Sequence, residues 1–270
     1  MAHIELVVTD LDGTLWDGGE AVHARTVAAL AELEHRRIPL LVATGRRRRS
    51  AARALGGVGL QPPAVLLDGA LGYHLASGVA FHRVAYRPDD ARRTLDVFLD
   101  HGLQPCVYVD QAEVDCLVGA EPATHPRHLE ALGRAVRRAD LRRAVTSQVV
   151  VSFGIVAGVP EELAPVADAI AAVGCARPVL TRDVVYGAAT LMVAPRGVSK
   201  WDGVSAYCAA EGLDPDRVLA VGDGHNDVEL LSRARVACAV SDGCDAVLAL
   251  AHHVVPPPHE GGWAQLLDLL

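Results

Sequence analysis

Short apolar runs and longer amphipathic stretches alternate along the first 83 residues of this 270-residue chain. Residues 4–9 form a β-rich run that stops at a Gly-containing turn, the pattern of a buried strand delivering a loop. Residues 25–37 carry Val27, Leu30 and Leu33 at helical spacing, predicting an amphipathic helix. A second buried strand is predicted at 38–43 and a basic helix from Arg46 to about Leu55, closed by Gly56-Gly57. A third strand follows at 64–67. This rhythm implies a parallel sheet with right-handed crossovers.

The rhythm changes near Tyr86. A helix is predicted at 88–101, with Pro88 at its start. Strands follow at 105–109 and 114–118, a helix at 127–138, a strand at 148–156, a helix at 161–172, and strands at 178–181 and 191–193. After Pro195 the first rhythm returns, with helices at 198–211, 227–233 and 246–251 and strands at 218–221 and 236–240. The expected organisation is an α/β core with a mainly parallel, Rossmann-like sheet, made of residues 1–85 and 192–270. It is split by an inserted α+β domain at residues 86–191, a size ordinary for a domain.

Composition narrows the function classes. The hydrophobic fraction is 51% but aromatics are only 4%, so Val, Leu and Ala must build the core. A net charge of −8 argues against nucleic acid bound through a global basic field. No 18-residue apolar stretch exists, and the chain begins with a strand-like run, so neither a membrane partner nor a signal peptide is expected; cytoplasmic location is. Six scattered cysteines without a CxxC pair read as buried thiols.

Candidate chemistry lies where the strands end. The first ends in Asp10-Leu11-Asp12-Gly13-Thr14, the second in Thr44-Gly45-Arg46, the third in Asp68-Gly69, and the strand at 218–221 in Gly222-Asp223-Gly224-His225-Asn226-Asp227. In a parallel sheet these groups share one edge, the crevice where open α/β sheets bind ligands. One acid of the first pair can act as nucleophile or metal ligand, and the other as general acid/base. Thr44 either caps a helix or seats a phosphate oxygen. Asp223 and Asp227, with Asp10, form a set of hard oxygen donors of the kind Mg²⁺ prefers; Asp227 at a helix start also suits the dipole. Of the 25 basic residues 24 are Arg, and the single Lys is Lys200; the single Asn is Asn226. A compact ammonium neutralises a phosphate or a carboxylate without the planar fork of Arg.

These four motifs, in this order, resemble those of the haloacid dehalogenase superfamily, and the insertion resembles the large cap of its Cof-type subfamily. The resemblance implies a Mg²⁺-dependent phosphatase acting on a small phosphomonoester, such as a sugar phosphate, through an aspartyl-phosphate. It implies that Asp10 is the nucleophile and Asp12 the general acid/base. Thr44, Gly45, Lys200 and Asn226 would bind phosphate. Asp10, Asp12 (through its backbone carbonyl), Asp223 and Asp227 would hold the metal. The cap would supply substrate recognition, with Arg87, Arg92 and Arg182 as its exposed-looking candidates. The partner expected is a small phosphorylated metabolite, and the chain is expected to be a monomer or homodimer. Alternatives are a phosphomutase of the phosphomannomutase type and a non-catalytic phosphosugar-binding protein. Asp12 favours phosphatases and mutases over P-type ATPases, which have Thr at the matching position. Two departures stand out: Asp68-Gly69 where Cof-type members usually have Asn-Gly, and residues 239–243 where they usually have Met-Gly-Asn-Ala.

Overall fold

The computed structural model describes residues 3–183 and 186–270. Two compact units emerge, one from Met1–His82 with Ser199–Leu270 and one from Arg83–Val198.

The first unit starts with β1 (Leu6–Thr9), α1 (Ala24–His35), β2 (Leu40–Ala43), α2 (Arg48–Gly57) and β3 (Pro63–Leu66). Two further strands, β4 (Leu71–His74) and β5 (Val79–Arg83), extend this sheet. The inserted unit contains α3 (Pro88–Asp100), β6 (Cys106–Val109), β7 (Cys116–Val118), α4 (Pro126–Leu132), β8 (Val136–Arg138) and α5 (Leu141–Ser147). It continues with β9 (Val150–Gly158), α6 (Pro160–Val173), β10 (Ala176–Arg182) and β11 (Ala189–Pro195). The chain then returns to the first unit through α7 (Lys200–Glu211), β12 (Val218–Gly222), α8 (Val228–Arg233), β13 (Val236–Val240), α9 (Asp245–Leu248) and β14 (His253–Val255).

The eight strands of the first unit run in the order β14-β13-β12-β1-β2-β3-β4-β5. From β14 to β3 every pairing is parallel; β4 pairs antiparallel to β3. Strand β1 is central because it is buried on both faces: Leu6, Val7, Val8 and Thr9 are all fully inaccessible. Leu6 and Val8 pack in a core with Leu41, Val65, Val204 and Val218. Strands β2 and β12 flank β1 on opposite sides, so the strand order reverses there and a crevice opens beyond their carboxyl ends. Helix α7 comes close to this sheet at Gly203, where a Cβ would stand 2.4 Å from Val65 Cγ1. That close approach needs glycine.

The inserted unit is a six-stranded sheet, β10-β11-β9-β6-β7-β8. Its own core gathers Tyr86, Phe98, Val107, Phe153, Val166 and Leu191. The six cysteines are free thiols, and all but the half-buried Cys244 are buried. Among the described residues no helix is long and apolar enough to cross a membrane.

Several elements differ from expectation. The helix expected at 127–138 ends at Leu132, because Gly133 takes a φ of 55°. The chain then straightens into β8 and, beyond Asp140, forms a helix that the sequence reading missed. Asp140 caps that helix by accepting from Arg143 N at 3.2 Å. Strands β4, β5 and β14 were missed too; Gly72, His74, His82 and His253 interrupt the short apolar runs that would mark them. The basic helix expected from Arg46 begins only at Arg48, with Arg47 as its cap.

Candidate active site

The end of β1 brings Asp10 into the crevice, where it is buried and its backbone N–H donates to Val221 O on β12 at 3.0 Å. The chain turns directly after this strand. Gly13, at φ 88°, makes that turn, and a Cβ there would lie 2.4 Å from Asp223 Oδ2. The next residue, Thr14, donates from its hydroxyl to Asp223 Oδ1 at 2.5 Å. The β1 loop thus holds the β12 loop through both a missing side chain and a present one.

Lys200, the first residue of α7, is fully buried. Its Nζ lies 2.9 Å from Asp10 Oδ1 and 2.7 Å from Asp227 Oδ1. The helix start is set by Asp202, whose carboxylate accepts from Ser199 N at 2.8 Å and Ser199 Oγ at 2.6 Å. It is also set by Gly69, at φ 110°, where a Cβ would meet Ser199 O at 1.9 Å. Asp227 turns its other oxygen to its own loop, accepting from Asp223 N at 3.1 Å and Gly224 N at 3.0 Å.

Asp10, Asp223 and Asp227 each offer an oxygen within 4.8 Å of the others. Burial raises the Asp10 pKa well above the carboxylate range; Lys200 opposes the shift, and Asp227 and Asp223 add to it. Asp223 is pushed up to about 7 by burial and by Asp227, against Thr14 and Lys200. Burial works to lower the Lys200 pKa, yet Asp10, Asp227 and Asp68 together raise it above its ordinary value. One ammonium therefore faces more buried negative charge than it neutralises. Three hard carboxylates with charge left over fit a divalent cation such as Mg²⁺.

Asp12 is handled separately. Its carboxylate accepts from Arg46 Nε at 2.6 Å, Arg46 Nη2 at 2.5 Å and Trp16 Nε1 at 3.0 Å. Its side chain does not join the acidic cluster. Thr44 is buried, but it does not cap α2: its hydroxyl accepts from Arg46 N at 3.2 Å, and its carbonyl accepts from Asp68 N. Three residues separate it from Arg48, where the helix starts, so the expectation of a hydroxyl at a helix entrance is corrected. Gly45 lies against Asp68, with a Cβ 3.1 Å from Asp68 Oδ1. Asn226 Nδ2 donates to the same Asp68 oxygen at 2.8 Å. Asp68 itself is buried at φ 53°, a conformation that Asp tolerates better than most residues.

The residues read from the sequence thus fall into two groups. Asp10, Lys200 and Asp227, all buried, make one polar cluster with half-buried Asp223; Thr44, Gly45, Asp68 and Asn226 are linked beside it. Reading the sequence missed Thr14, Trp16 and Glu20 as supporting residues. Trp16 falls four residues after Asp12, but nothing local says that its indole N–H turns back.

A family model described as haloacid dehalogenase-like hydrolase matches residues 7–122 and 179–267. The chain is 29% identical over 274 residues to a phosphoglycolate phosphatase of Methanopyrus kandleri, covering 98% of this chain and 96% of that protein. It is 25% identical over 263 residues to the chloroplastic endoribonuclease YBEY of Arabidopsis thaliana, covering 91% of this chain. The match takes in 43% of that protein, so this chain spans less than half the length of that relative. A solved structure of a subclass IIB sugar phosphatase shares the fold, with a TM-score of 0.78 at 17% identity and 98% of both chains covered.

Proposed function

The chain belongs to the haloacid dehalogenase-like hydrolases, and on that premise we propose that it is a Mg²⁺-dependent phosphatase that hydrolyses a small phosphomonoester through an aspartyl-phosphate. The observation that carries this reading is the grouping of buried Asp10 and Asp227, joined by Lys200, with half-buried Asp223 at the carboxyl edge of the parallel strands. A binding protein has no need of so many uncompensated buried carboxylates, which cost stability unless they hold a cation or react.

In this reading a carboxylate oxygen of Asp10 attacks phosphorus. The ester P–O bond breaks, and Asp12 gives a proton to the departing alcohol. A water molecule then attacks the phosphorus of the aspartyl-phosphate and loses a proton to Asp12; phosphate leaves and the Asp10 carboxylate returns. Lys200 fixes Asp10 through Oδ1 and supplies positive charge beside the transferring group. Thr44, Gly45 and Asn226 complete the seat for the phosphoryl oxygens. Asp10, Asp223, Asp227 and the Asp12 carbonyl would hold Mg²⁺, which supplies charge stabilisation to the phosphoryl oxygens when bound.

The phosphoglycolate and sugar-phosphate activities named for the two similar phosphatases support a small, polar phosphomonoester as substrate. The test is a phosphate-release screen over sugar phosphates, phosphoglycolate, pyridoxal phosphate and nucleotides, with and without Mg²⁺. Mg²⁺-dependent release that Asp10→Asn abolishes supports the reading. Turnover retained by that variant removes Asp10 as nucleophile, and phosphate returned to the sugar under a bisphosphate activator makes the protein a mutase.

A further inference from the structure

All three nitrogens of the Arg46 guanidinium meet one of two carboxylates. Nε and Nη2 grip both oxygens of Asp12 at 2.6 and 2.5 Å, and Nη1 contacts Glu20 Oε1. The guanidinium lies 5.5 Å from the ring centroid of Trp16, and that indole donates to Asp12 Oδ1 at 3.0 Å. The Arg46 side chain is only 12% exposed, and Trp16 is fully buried. Glu20 reaches Arg46 from a left-handed backbone, φ 56°, which is uncommon for a residue other than glycine. Each guanidinium nitrogen that could meet a phosphate already meets a carboxylate.

We propose that Arg46, braced by Glu20 and Trp16, is a positioning residue that fixes the plane of the Asp12 carboxyl group for proton exchange with the leaving oxygen. The inference rests on the proposed role of Asp12. A carboxyl group on a short side chain rotates freely about χ2 unless both oxygens are engaged. The two-point fork of arginine stops that rotation, and a lysine ammonium, a single point charge, does not.

A general acid matters most when the leaving alcohol is a poor leaving group. The experiment therefore compares KM and the rate of alcohol release in the first turnover, which precedes the water step that all substrates share, for an alkyl phosphate and for p-nitrophenyl phosphate, whose phenolate leaves without help, in the parent, Asp12→Asn, Arg46→Ala, Arg46→Lys and Glu20→Gln. Arg46→Ala should lower the first-turnover release of the alkyl alcohol about 10–100-fold and of the phenolate only a few-fold, with little change in KM, as a fraction of the general acid–base effect. Millimolar guanidinium should restore part of the alkyl activity of Arg46→Ala. Glu20→Gln should show the same selectivity in weaker form. If Arg46→Ala does not fold, Arg46→Lys carries the comparison and should also lose alkyl activity selectively.

Equal loss of first-turnover release on both substrates overturns the inference, as does a raised KM with an unchanged first-turnover rate, which would make Arg46 a phosphate ligand. If Asp12→Asn is selective and the Arg46 variants are not, the clamp is wrong while the role of Asp12 stands. If Asp12→Asn slows first-turnover release of both alcohols equally, the proton-transfer role falls and the clamp with it.

Discussion

Gly13 and Asp223 come from the two ends of the chain and touch: a Cβ at Gly13 would stand 2.4 Å from Asp223 Oδ2. Gly13 also holds φ at 88°, which side-chain-bearing residues rarely adopt. Gly13→Ala should therefore push Asp223 out of the acidic cluster while leaving most of the fold intact. The expected result is an apparent Mg²⁺ affinity about tenfold weaker, by analogy with losing a residue that orients a ligand. Mg²⁺ titration of activity, beside circular dichroism, checks this; unchanged affinity would show that the β1 loop does not set the position of Asp223.

Lys200 is wholly buried between Asp10 and Asp227. Removing one partner of such a group leaves uncompensated buried charge, at a cost of about 3–5 kcal/mol. Lys200→Met should lower stability by about that amount, as read in urea unfolding without Mg²⁺. Replacing Asp227 by Asn in the same protein should recover part of the loss, because one of the stranded carboxylates is then neutral. Lys200→Arg should fail as well, since a planar fork does not fit where a compact ammonium is enclosed on all sides.

The pH dependence of stability has a definite sign at Asp223. Its pKa is raised to about 7 in the folded protein, from an ordinary value of 3.8. A raised carboxyl pKa contributes stability that is fully present below about 3.8 and is lost as pH rises through about 7. The cation-free protein should thus lose thermal stability as pH rises from about 4 to about 7, relative to Asp223→Asn, and level off above that. Added Mg²⁺ should raise the parent's melting temperature more at the upper end of that range than at the lower. A Mg²⁺ shift independent of pH would contradict the assignment.

His82 behaves in the opposite sense. Burial lowers its pKa, against a contact of Nε2 with Gly69 O at 3.0 Å and the charge of Asp202. The neutral ring must carry its proton on Nε2 to donate to that carbonyl. A depressed histidine pKa contributes stability present above the ordinary value, about 6.5, and lost as pH falls through the folded value. His82→Gln keeps a donor but does not titrate. Its melting temperature should fall less than the parent's as the pH is lowered below about 6.5, and parallel curves would rule out this contribution.

Much of the site was legible along the chain because its chemistry sits at strand ends. Asp10, Thr44, Asp68 and Asp223 each follow an apolar run, and a parallel sheet puts such positions on one edge. The scarcity of lysine and asparagine added weight to Lys200 and Asn226. Strand-helix alternation likewise marked the large sheet and the insertion within it. Less legible were short elements: β8 takes the end of an expected helix and α5 lies where no element was expected, since three residues of strand carry too few positions to show a period.

Local pattern therefore determined the fold class, the order of the motifs and the residue types of the site, because periodicity and turn chemistry act over a few neighbours. Only the tertiary structure decided which carboxylate each cation meets. Lys200 joins Asp10 to Asp227 because α7 begins beside Gly69. Arg46 takes Asp12 and Glu20 because it precedes α2 instead of lying within it. Asn226 faces Asp68 across 158 residues. Ion pairing depends on distance and burial, and sequence separation encodes neither.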